Sequence, residues 1–175
     1  MPEAQILVAR QGRVVQIRVI GRATFKISRE LREYGISMIH QGAGNLIVDL
    51  SSCQGMDSTF MGVLAMIGLA ARRENAVVTM VNAGEHHRRL LDGIGISRLF
   101  QFTDEEVPEV TWQSLCRAAA GAAAPGPVAD TIVEAHRTLM QVTPENVPRF
   151  KDVVEMLTGE TGLAEKNVNK EESSR

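Results

Sequence analysis

Short apolar runs alternate along this chain with segments in which apolar residues recur every three or four positions. Residues 6–9 and 14–20 are β-rich runs separated by Arg10-Gln11-Gly12-Arg13. Gln11-Gly12 is a hairpin signal, so an antiparallel pair is expected at the start. Val14, Gln16, Arg18 and Ile20 do not alternate cleanly with their neighbours, which leaves the buried face of the second run open. After a loop at residues 21–24, Ile27, Leu31, Tyr34 and Met38 stand at helical spacing, with Lys26, Arg29, Glu30, Arg32 and Glu33 opposite and Gly35 interrupting. Residues 46–50 read as a buried strand, followed by a polar loop. Asp57-Ser58-Thr59 then opens a helix that carries no charge from Phe60 to Ala71. Side-chain oxygens of these types satisfy the free N–H groups at a helix start. Ser58 is therefore expected at or just inside a helix N-terminus, at the end of a strand and open to solvent.

Arg72-Arg73 closes that helix with cations where the helix dipole favours them. Residues 76–81 read as another buried strand, 85–91 as a short helix, 99–102 as a last strand and 110–120 as one more helix. Strands alternating with helices after an initial hairpin define an α/β fold with a mixed sheet, mostly parallel in its second half. This first unit is expected over residues 1–120. Residues 121–129, GAAAPGPVA, form a small-residue and proline linker. Beyond it, Asp130 can cap a helix with Ile132, Ala135, Leu139 and Met140 on one stripe. Thr143-Pro144-Glu145 is a second start signal, for a helix with Val147, Phe150, Val154 and Leu157 on its apolar face. The expectation is a helical hairpin over residues 130–160, then a tail at 161–175 too polar to order itself.

Composition narrows the function. The 175 residues are 44% hydrophobic and 23% charged, with a net charge of −2, which offers no basic face to nucleic acid. The apolar stretch 60–71 is well short of the roughly 20 residues that span a bilayer, and MPEAQILVAR lacks the pattern of a secretion signal. Cys53 and Cys116 have neither a CxxC spacing nor a framework count, so free thiols and a cytoplasmic protein without membrane insertion are expected.

The residues suggest little chemistry. His86 and His87 are adjacent, so they point to different sides of a helix and read as surface histidines without a metal. Ser58 with His86 or His87 and Asp92 lacks the G-x-S-x-G elbow of a hydrolase. Gln41–Asn45 lacks the Lys-Ser/Thr of a nucleotide loop. No cofactor, metal or catalytic group is expected. The uncharged helix is different, since it has no polar face for about three turns. Its surface near Phe60, Val63 and Ile67 is either covered by another part of the chain or left as an apolar patch beside Ser58. If the hairpin covers it, the hairpin is a lid or a dimer contact.

Asp49-Leu50-Ser51, followed by Met56-Asp57-Ser58-Thr59 and Met61-Gly62-Val63-Leu64, resembles the STAS domain of bacterial anti-anti-sigma proteins, where a strand ending in D-L/F-S precedes M-D-S-S-G-L-G-V-L. Arg89-Leu90-Leu91, Gly95-Ile96 and Leu99-Phe100 match the family's closing R-L-L-x-x-x-G-L-x-x-L-F, and Gly21-Arg22-Ala23 sits where it often has G-R/E-L-D. The resemblance covers roughly residues 4–120 and implies a phosphorylation-controlled, non-catalytic switch. It implies Ser58 as acceptor with Thr59 as fallback, and Asp57 capping the helix and orienting the hydroxyl. The implied partner surface is Asp57, Ser58, Thr59, Phe60, Met61, Val63 and Leu64. Its implied partners are an anti-sigma factor that is also a serine kinase and a serine phosphatase, and the hairpin adds a route to a homo-oligomer. Phe60 replaces the family's glycine and changes the surface a kinase approaches. The alternative is an adaptor, never phosphorylated, in a transporter or signalling complex.

Overall fold

A computed structural model of the chain describes residues 4–115 and 128–159. The opening apolar runs pair as expected: β1 (Gln5–Gln11) and β2 (Val14–Ala23) form an antiparallel hairpin, with Gly12 in the left-handed region that the tight turn requires. β2 buries Val15, Ile17 and Val19 on one face and continues through the segment expected as a loop. α1 (Phe25–His40) follows, capped by Thr24. β3 (Asn45–Met56) is far longer than the apolar run 46–50, because its polar half keeps pairing with β2 through two register shifts. A ladder partner, invisible locally, holds Ser51–Met56 extended.

α2 (Ser58–Arg73), β4 (Val77–Val81), α3 (Glu85–Gly93) and, after a 3₁₀ turn at Ser97–Leu99, β5 (Gln101–Thr103) complete the parallel part. β6 (Gln113–Ser114) lies antiparallel to β1, inside the segment expected as a helix, while residues 116–120 fall outside the described ones. The sheet order is β5-β4-β3-β2-β1-β6, with the β2–β3, β3–β4 and β4–β5 pairs parallel. That is the expected mixed α/β sheet.

The C-terminal helices are α4 (Val128–Val142) and α5 (Val147–Thr158), joined through a 3₁₀ turn at Pro144–Asn146. Residues 121–127 of the expected linker and the expected tail lie outside the described residues, as does Cys116; Cys53 is a free, buried thiol. α4 packs on α2 and α1, and its Ala135 and Leu139 belong to the same apolar core as the sheet. Two glycines set these helix contacts. A Cβ on Gly35 of α1 would stand 2.7 Å from Ile67 Cδ1 of α2. One on Gly62 of α2 would stand 2.6 Å from the Ala135 carbonyl oxygen of α4. The α1 stripe is rotated from the expected one, burying Ser28, Leu31, Gly35 and Ile39, while α4 keeps the expected Ala135 and Leu139 and widens the buried face with Thr131, Val133 and His136. On α5 only Val154 is buried; Phe150 is partly so, and Val147 and Leu157 are each 42% exposed.

Candidate functional site

Asp57 is the residue on which two helices converge. Its Oδ1 accepts the Phe60 N–H at 2.8 Å and so caps α2, while its Oδ2 accepts the Phe25 N–H of α1, also at 2.8 Å. The free N–H groups at two helix starts are thus drawn to one carboxylate, where their dipoles favour negative charge. Ser58 is the first residue of α2, immediately beyond this junction.

The Ser58 hydroxyl is not left to solvent. The residue is half-buried, and its Oγ lies 2.9 Å from Nε2 of His136 on α4. His136 is 3% exposed, and its Nδ1 stands 2.7 Å from the Ile132 carbonyl, which can only accept. In the neutral ring Nδ1 therefore carries the proton, and Nε2 accepts from the serine. The imidazole also meets the Phe150 ring of α5, centroid to centroid 5.0 Å. Sequence reasoning missed His136. It lies 78 residues from Ser58; helical spacing puts it on the stripe of Ile132, Leu139 and Met140, but nothing local names the serine as its partner. The hydroxyl is accordingly oriented by His136, whereas both Asp57 oxygens are committed to backbone N–H groups.

The other residues of the expected partner surface are brought together but turned inward. Thr59, Phe60, Met61, Val63 and Leu64 are buried, as is Ile67. Of the two readings left open for the uncharged helix, covering by the chain itself holds. Phe60 is fully buried in the core. The hairpin is fastened along its length. Arg32 of α1 pairs with Glu134, Arg98 donates to the Val142 carbonyl, and Arg149 Nη1 donates to the Gly93 carbonyl at 2.8 Å. Buried Asn146 Nδ2 reaches both the Ile94 and Leu139 carbonyls at 2.9 Å.

The aspartate of the D-L-S motif serves the sheet. Asp49 is buried; its Oδ2 accepts from Arg18 Nε at 2.8 Å, and its Oδ1 from Asn82 Nδ2 and the Ser51 N–H, each at 2.9 Å. Burial alone pushes the carboxyl up, but the bonds from Asn82, Ser51 and Arg18 together outweigh it and hold the group below its ordinary value. The Trp112 ring covers the Arg18 guanidinium, 4.5 Å from centroid to carbon.

His87, expected at the surface, is buried, with Nε2 3.1 Å from the Cys53 carbonyl; burial pushes its pKa down. His86 is exposed. Arg88 donates to the Ala83 carbonyl and lies over the Phe102 ring, and Arg89 stays on the surface beside Glu85. Neither histidine approaches Ser58 through any described bond. Among the described residues no group of three or more His, Cys, Asp or Glu could hold a metal, and no helix is long and apolar enough to cross a membrane.

A family model described as "Mlab, STAS domain" matches residues 6–101, more than half of the chain. Among solved structures, the chain is similar to an anti-sigma factor antagonist from Mycobacterium paratuberculosis, with 19% identity and a TM-score of 0.51, over 59% of this chain and 87% of that one. It is also similar to a putative anti-sigma factor antagonist from Thermotoga maritima, with 16% identity and a TM-score of 0.51, over 56% and 85%. At these identities the likeness is one of fold. No curated protein sequence matches the chain.

Proposed function

The chain belongs to the STAS domain family, and from that premise we propose that it is a protein-binding switch of the anti-sigma factor antagonist kind, with Ser58 as its phosphorylated residue. Unmodified, it binds an anti-sigma factor that is also a serine kinase; that kinase modifies Ser58, and a serine phosphatase resets it. The chain itself catalyses nothing. Thr59 is buried and so a poorer acceptor than half-buried Ser58.

The observation that carries this reading is the place of the Ser58 hydroxyl, at the first turn of α2 beside the junction on Asp57 and bonded to buried His136. A phosphoryl group brings a charge of about −1.5 to −2 and three oxygens. It cannot occupy the 2.9 Å between Oγ and Nε2. The added charge stands next to the Asp57 carboxylate and must be desolvated when a partner docks over Ser58, a cost of about 1–3 kcal/mol or more. A change of that size moves a binding equilibrium roughly tenfold to a hundredfold.

A second reading is favoured by one specific observation, that α4 covers α2 and already holds the Ser58 hydroxyl. On this reading the chain is an adaptor in a transporter or signalling complex, never phosphorylated. Incubating the full chain with a serine kinase encoded beside it and labelled ATP separates the two. Label on Ser58, abolished in Ser58→Ala, with partner binding weakened at least tenfold by the modification, is the expected result. No transfer, with binding equal for the wild type and Ser58→Asp, would leave the adaptor.

A further inference from the structure

The cleft between α1 and α2 is shaped for a helix, and the helix in it has the marks of a detachable guest. Gly35 and Gly62 remove the side chains that would keep the three helices apart, and at Gly62 the backbone of α4 comes into direct contact with α2. The face that α4 buries is polar for a core: it carries Thr131 and His136 among Val133, Ala135 and Leu139, and the Thr131 hydroxyl is buried without a hydrogen-bond partner. Contacts between parts of a chain that separate are more polar than a permanent core, and an unpaired buried hydroxyl weakens the docked state. At the rim, the Arg32–Glu134 ion pair matches charge across the cleft.

We propose that α4 stands in for the helix of a partner: the α1–α2 cleft at Ser58 is a helix-docking surface held in cis, and a partner binds by displacing the hairpin. The partner helix repeats the chemistry of α4. It presents a small residue over Gly62, an acidic residue opposite Arg32 and a hydrogen-bond acceptor to the Ser58 hydroxyl, with apolar residues placed like Val133 and Leu139. This rests on the reading of the chain as a protein-binding module and adds how its surface is opened. The Ser58 hydroxyl and the α2 surface at Gly62 become fully accessible only when the hairpin leaves.

Two measurements on the full chain test it. In amide hydrogen exchange, α4 and α5 should open as a unit separate from the sheet, at least tenfold faster than β2–β4. Equal protection of the hairpin and those strands would overturn the proposal, since α4 would then be a permanent part of the core. The second measurement uses a fluorescent synthetic peptide copying residues 128–158. Glu134→Arg combined with His136→Ala loosens the hairpin and leaves the cleft intact, so this variant should bind the peptide at least tenfold more tightly than the wild type. Equal binding by a variant whose sheet stays protected refutes the competition. Should the double variant not fold, His136→Asn alone and the wild-type exchange pattern still decide. Neither measurement involves a kinase, so an unphosphorylated Ser58 would defeat the switch and leave this inference standing.

Discussion

Gly62→Ala sets two effects against each other, and the structure says which wins. In an ordinary helix interior, alanine is better than glycine by about 1 kcal/mol. At Gly62 the new methyl carbon would stand 2.6 Å from the Ala135 carbonyl oxygen and 2.7 Å from both its carbonyl carbon and its Cβ. Ordinary contact is roughly 3.5 Å, so the helices must part by most of an ångström. Two of the three obstacles are backbone, which cannot swing aside as a side chain does. Overpacking of this kind costs about 1–3 kcal/mol, and with no flexible group to yield the upper half applies. The net effect should be a loss of about 1–2 kcal/mol, or roughly 2–8 °C in Tm for a chain of this size. Two other glycines calibrate it. Gly35→Ala meets only the Ile67 side chain, whose δ-methyl can swing aside although χ1 is held, so it should cost less than Gly62→Ala. Gly93→Ala, at the last residue of α3 with nothing within 4 Å, should be neutral or slightly stabilising. Urea unfolding of the three variants, with exchange of the α4 amides, measures the series. If Gly62→Ala stabilises the protein like an ordinary helix position and α4 stays protected, the close approach of α2 and α4 is wrong.

Acid should act through Asp49: its folded-state pKa lies below the ordinary value of about 3.9, so its contribution is complete above that pH and is lost as pH falls through the lower folded value. Asp49→Asn should lower stability at neutral pH by about 1–3 kcal/mol and flatten the acid limb of a stability–pH curve, and an unchanged limb would count against the Arg18 pairing. Gly95 has φ +72° and faces the Thr143 side chain, so Gly95→Ala should cost about 2–4 kcal/mol in chemical denaturation. Thr143→Ala should recover the packing part of that loss and leave the backbone part, which a double-mutant cycle resolves.

Much of the sheet and the first helices was legible because their signals are local. Gln11-Gly12 marks the hairpin, the apolar runs at residues 46–50 and 76–81 mark buried strands, and Asp57 next to an uncharged run marks a helix start. The reading broke where long-range pairing outweighs local preference. Ser51–Met56 looks like a loop and is a strand because β2 supplies its ladder. The stripe on α1 is turned because Gly35, which weakens an isolated helix, is the point where Ile67 fits closely.

The sequence by itself determined the family pattern, the alternation of strands and helices, the place of Ser58 at the head of α2 and the presence of two helices near the C-terminus, all of which depend on spacing along the chain. Only the tertiary structure decided what those two helices cover. Whether an apolar face is buried or offered depends on which distant surface reaches it first. Here a glycine without a side chain admits the backbone of α4, and a histidine 78 residues away completes the hydrogen bond of the serine. No window of the sequence contains both partners.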